Sequence, residues 1–173
     1  MLNTAKLLSE LALIGLLSIA SLKSSYGQNE INLSTGFGLP ELFNIGIRGQ
    51  FGQNVIGISV GTLPGLPEGE KTFSVCGDLF CHFGKVPELS KRCVWYARGG
   101  FNYLSAINND GEDRYTYLNL RFGRDLNLSK KIGIQVDAGG LIEISRKSIP
   151  ETWLSDLLPQ VLPSLGLNFF VQL

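Results

Sequence analysis

His82 is the only histidine of the chain, and three cysteines, Cys76, Cys81 and Cys93, flank it. An imidazole can act as general base for a weak serine nucleophile, but only where the two groups lie side by side. No serine adjoins His82, whose neighbours on its own strand face are Phe80 and Gly84. No catalytic residue is assigned. Cys76 and Cys81 are separated by four residues and no second ligand pair follows, so the cysteines do not have zinc-site spacing. No phosphate-cradling glycine loop or histidine pair is present, and neither metal nor cofactor is expected. In an oxidising compartment two of the thiols can pair, and Cys81 with Cys93, expected to face outward on either side of one turn, is the candidate disulfide.

A second constellation is electrostatic. Arg48, Arg98 and Arg121 match Asp78, Asp137 and Glu143 in number, and Gln50, Asn102, Asn119 and Gln135 share their parity. Equal numbers of each sign suit a closed interior, where a buried charge must find a partner. These residues are expected to form a polar network that packs a lumen.

The elements that must position them alternate apolar and polar residues with period two, the signature of strands with two unlike faces. Eight such stretches occur. Ile31, Leu33 and Phe37 define the outward face of the first, Phe43, Ile45 and Ile47 that of the second, and Ile56, Ile58 and Val60 that of the third. Phe73, Val75, Leu79 and Phe83 follow, then Trp95, Phe101 and Tyr103, then Leu118, Leu120 and Phe122. Ile132, Ile134, Val136, Ile142 and Ile144 mark the seventh, with a bulge expected at Gly139-Gly140, and Leu165 to Leu173 the eighth. None of the outward positions carries a charge, whereas the wet face of a soluble barrel would be rich in Lys, Glu and Asp.

The remaining segments sort around these strands. Lys6, the apolar run Leu11 to Leu22 and the small residues Ser25 and Gly27 read as a secretory signal peptide over 1–27, which leaves a single domain over 28–173. Charged residues are only 17% of the chain and glycines number 21, while Lys plus Arg and Asp plus Glu balance at 15 each, which points away from nucleic acid. Turns at 53–54, 85–92 and 125–131 fall at the end expected in the periplasm; connections at 39–42, 64–71, 107–113 and 145–164 fall at the outer end. Ser148 and Glu151 fit a helix-capping box, and Trp153, Leu154, Leu157 and Leu158 then share one face of a short helix expected over 149–158. That face is the candidate anchor for an interface or partner. Asp110, Glu112 and Asp113 make the third outer connection acidic, and it is expected to be a solvated loop.

Taken together, the pattern resembles the small eight-stranded outer-membrane barrels, the group of the OmpA transmembrane domain and OmpX. The likeness covers the chain from Gln28 onward. Its last strand, with Phe169 and Phe170, resembles the targeting strand that barrel-assembly machinery reads, although it ends in Leu173 where many members have an aromatic. The resemblance implies an all-β, closed, antiparallel, up-and-down eight-stranded transmembrane β-barrel in the bacterial outer membrane. Outer-membrane lipid is the expected partner, with an envelope protein engaged through the outer loops, and the role is structural or surface recognition without an open pore or enzymatic activity. Two other readings stand beside it: a lipid-modifying barrel enzyme that uses His82, and a secreted soluble barrel that holds a small apolar ligand.

Overall fold

The computed structural model describes residues 30–108, 111–149 and 161–173. It contains eight strands: β1 (Glu30–Gly38), β2 (Leu42–Phe51), β3 (Asn54–Thr62), β4 (Lys71–Phe83), β5 (Trp95–Asn108), β6 (Gly111–Asn127), β7 (Ile132–Ile149) and β8 (Val161–Gln172). Each pairs antiparallel with the next, and β8 closes on β1, so the sheet is an all-β closed barrel with no free edge along its belt. The two ends are called lower, where the 52–53, 84–94 and 128–131 turns lie, and upper, where β1 meets β2.

Period-two patterning produces this barrel because successive side chains leave a pleated strand on opposite faces. Along β1, Ile31, Leu33 and Phe37 are exposed while Asn32 and Ser34 are buried. The same inversion runs round the wall. Among the described residues, 32 large apolar side chains are exposed against nine buried apolar ones, whereas arginines and carboxylates fill the interior. Val55, Phe80 and Tyr96 form the small apolar centre of the lumen.

The strands differ in length, and this makes the upper rim uneven. β1 and β3 have nine residues each, whereas β6 has 17 and β7 has 18. β7 pairs with β8 only up to Ile142 opposite Val161, yet pairs with β6 as far as Ile149 opposite Glu112. The tops of β5, β6 and β7 therefore stand above the mouth as a partial wall. The expected acidic loop shrinks accordingly, because Glu112 and Asp113 are strand residues; Asp110 lies outside the described residues.

Three local expectations need correction. Gly139 and Gly140 stay in register with Arg121 and Leu120, and the irregularity falls higher, where Thr116 pairs with Ser145 and Tyr117 with Glu143, leaving Ile144 extra. Gly139 is small for a different reason: a Cβ there would run into the Leu120 carbonyl oxygen. Ile149 ends β7 as strand, and Trp153, Leu154, Leu157 and Leu158 lie outside the described residues. Finally, β6 continues to Asn127, which places Arg124 on the outward face beside Trp95, so that face is not free of charge.

Candidate functional site

The lumen is the site, and its geometry starts from the connection between β1 and β2. Leu39, Pro40 and Glu41 do not project away from the barrel; they fold across its mouth. Leu39 N–H donates to Leu165 O at 2.9 Å, and the Ser164 hydroxyl donates to Leu39 O at 2.7 Å. Ser74 Oγ donates to Glu41 O at 2.8 Å. Leu42 takes a left-handed φ of 62° as the chain turns back, and Gly61 lies so close to the Glu41 carbonyl that a Cβ would overlap it. The turn is a lid, and it carries one carboxylate into the interior.

Beneath the lid, two arginines and three carboxylates interlock. Arg98 Nη2 lies 2.7 Å from both Glu41 Oε1 and Asp78 Oδ2, while its Nη1 lies 3.3 Å from Asp137 Oδ2. Arg121 reaches Glu41 Oε2 at 2.6 Å and Asp137 Oδ1 at 2.8 Å, and donates through Nε to Asn119 Oδ1 at 3.0 Å. It also donates to Leu39 O, which ties it to the lid backbone. The Tyr96 hydroxyl donates to Asp137 Oδ2 at 3.0 Å. All five charged side chains are almost fully buried. A buried ion carries a desolvation cost of several kcal/mol, which only near-complete pairing of this kind offsets.

A second layer lies nearer the lower end. Arg92, carried on the 84–94 connection, turns into the lumen, 3.1 Å from Asp125 Oδ2 and stacked 4.8 Å from the Phe170 ring centroid. His82 Nε2 lies 3.3 Å from the same carboxylate oxygen, and its Nδ1 lies 3.2 Å from Gln53 O. Gln135 Nε2 donates to Asp125 Oδ1 at 2.9 Å, and its Oε1 accepts from Arg48, whose guanidinium lies over Phe80. The lower mouth is thus closed by Arg92, as the upper mouth is closed by Glu41.

Five of the six charges anticipated for the lumen, Arg48, Asp78, Arg98, Arg121 and Asp137, are buried inside the barrel. Glu143 is half-buried and higher on the wall, opposite Tyr117, because Gly139, not Glu143, is level with Arg121. Glu41 takes its place in the ion network. Glu41, Arg92 and Asp125 escaped the sequence reading since the first two sit in connections and the third in a stretch read as a turn. The short Leu39-Pro40-Glu41-Leu42 link was the one available signal, as a turn of that length leaves its acid close to the mouth.

The cysteines contradict the expected pairing. Cys76, Cys81 and Cys93 are all free, Cys81 lies exposed on the outer wall, and Cys93 is buried. Cys93 Sγ donates to Gly84 O at 3.2 Å, since residues 84–94 curl under the barrel and do not continue the β5 parity. Glu41, Cys76 and Asp78 bring potential ligand atoms within 4.8 Å of one another, but Arg98 and Arg121 already supply the cations for both carboxylates. Above the mouth, Glu112 receives hydrogen bonds from Arg114 and Ser105, which hold its carboxyl below the usual carboxylate range.

The chain matches no family model, no curated protein and no solved structure. The fold and this interior stand on the geometry alone.

Proposed function

We propose that the protein is an integral outer-membrane β-barrel, exported by a signal peptide over 1–27, with a structural or surface-recognition role and a lumen that is packed shut. The observation that carries this reading is the inverted distribution of polarity. Ile45, Phe101 and Leu165 are each more than 60% exposed on the outer wall, while Arg98, Arg121 and Asp137 are almost completely buried inside. Each large side chain left in water forgoes about 1.5–3 kcal/mol of burial free energy, whereas lipid removes that cost. Outer-membrane lipid is the partner this wall fits. The raised β5–β7 wall supports a surface role, through which an envelope protein is engaged.

The alternatives find less support. A soluble barrel for an apolar ligand needs an apolar interior, and this one is filled by guanidinium and carboxylate groups. For a lipid-modifying enzyme, His82 would have to activate a nucleophile, but among the described residues it faces Asp125, Gln53 O and the Tyr96 and Phe80 rings.

Cell fractionation followed by electrophoresis in SDS, with and without boiling, tests the membrane reading. Recovery with the outer membrane and a heat-dependent shift in mobility are expected. A protein in the soluble periplasmic fraction with no shift would overturn it. Unchanged lipid A acylation in a His82→Ala strain is expected as well, and altered acylation would bring the enzyme reading back.

A further inference from the structure

We propose a headgroup site for a zwitterionic phospholipid bearing a primary ammonium, built at the lower rim around Arg124 and Glu88. This rests on the membrane reading above and goes beyond it. Arg124 is an outward-facing cation at the lower end of a largely apolar wall, and it forms no ion pair among the described residues. Its guanidinium is held 5.0 Å from the Trp95 ring centroid. Trp95 is stacked in turn on Phe122 at 5.4 Å, and Phe122 contacts Phe83 at 5.6 Å. The cation thus lies on Trp95, which Phe122 and Phe83 back, and aromatic girdles mark the membrane–water boundary of such barrels.

Directly beside Arg124 is a groove of about 420 Å³, lined by Pro87, Glu88, Leu89, Val94, Leu126 and Asn127 along with Arg124 itself, and reaching Asp125, whose carboxylate is turned into the lumen. Its walls are largely apolar, with the Asn127 amide at one side, and it holds one exposed guanidinium and one exposed carboxylate. A simple anion would meet Glu88 as well as Arg124, and an apolar ligand would leave both charges unmatched. A headgroup with a phosphate and a terminal ammonium matches both, the phosphate on the forked donors of Arg124 and the ammonium on Glu88. Glycerol and the first methylenes then lie against Val94 and Leu126. A quaternary ammonium fits the charge but has no N–H to donate to Glu88, so an ethanolamine headgroup is favoured over choline.

Trp95 reports on the site. In a Trp153→Phe protein it is the only tryptophan, and its quenching by brominated lipids diluted in phosphatidylcholine vesicles measures which headgroup lies beside it. Brominated phosphatidylethanolamine is expected to associate roughly five-fold more strongly than brominated phosphatidylcholine, the effect of the one hydrogen bond that choline cannot make. Glu88→Gln and Arg124→Gln should each erase that preference. Equal quenching by the two lipids in the Trp153→Phe protein, or a preference that survives both variants, would overturn the proposal. Stronger quenching by brominated phosphatidylglycerol would replace the zwitterionic site with a plain anionic one, and loss of the preference on adding soluble phosphoethanolamine would overturn the lipid assignment. Equal quenching by all lipids leaves the membrane reading intact, whereas no quenching by any of them defeats both.

Discussion

Glu41 Oε2 and Arg121 Nη2 lie 2.6 Å apart, although 80 residues separate them along the chain. The contact exists because the β1–β2 turn folds inward and because closure of the barrel brings β6 opposite that turn. One carboxylate therefore bridges Arg98 and Arg121, and the lid and the ion network are a single device.

Removing that carboxylate takes one partner from each guanidinium, while Arg98 keeps Asp78 and Asp137 and Arg121 keeps Asp137. Glu41→Gln is expected to destabilise the barrel by about 1–3 kcal/mol, the usual cost of losing hydrogen bonds to a buried charged group. Glu143→Gln, at a half-buried position outside the network, should change stability by under about 1 kcal/mol. Urea unfolding of vesicle-inserted protein compares the two, and equal effects would refute the placement of Glu41.

The lid also depends on close backbone approach. Gly61→Ala adds a Cβ that meets the Glu41 carbonyl, a backbone atom that cannot swing aside. A loss of about 1–3 kcal/mol is expected. Gly77→Ala is the control: it points outward with nothing within 4 Å, and its effect should be neutral or slightly favourable. The same unfolding experiment reads both, and a harmless Gly61→Ala would show that the lid does not seat as described.

Thiol chemistry tests which solvent meets the outer wall. Cys81 is exposed on the outer wall, while Cys76 and Cys93 are buried. In vesicles, neither a membrane-permeant maleimide nor a charged, water-soluble one should modify any of the three promptly before unfolding, because a thiol in lipid or in the packed interior does not form the reactive thiolate. Prompt labelling of Cys81 by the charged reagent would place that wall in water and count against the membrane reading.

The upper wall gives a pH signature. Glu112 is held below the usual carboxylate range by hydrogen bonds from Arg114 and Ser105. A carboxyl whose pKa is lowered on folding stabilises the fold above its unfolded value, and that contribution fades as pH falls through the lowered one. Carboxyl-carbon NMR titration in micelles should show Glu112 titrating at higher pH in Arg114→Gln than in the parent. An unchanged midpoint would show that the pair does not persist in solution.

The amino-acid sequence by itself determined the strand number and the inside and outside of nearly every strand, because pleat geometry ties residue parity to face. It also located Arg48, Asp78, Arg98, Arg121 and Asp137 in the interior, since each sits within an alternating run. Tertiary structure alone decided which of those charges meet. Register set Gly139, and not Glu143, level with Arg121. Chain reversal outside any periodic segment carried Glu41 and Arg92 into the two mouths and buried Cys93. Such positions have no parity to read: a turn residue points wherever its backbone dihedrals and the facing strands send it, and those facing strands exist only once the barrel has closed.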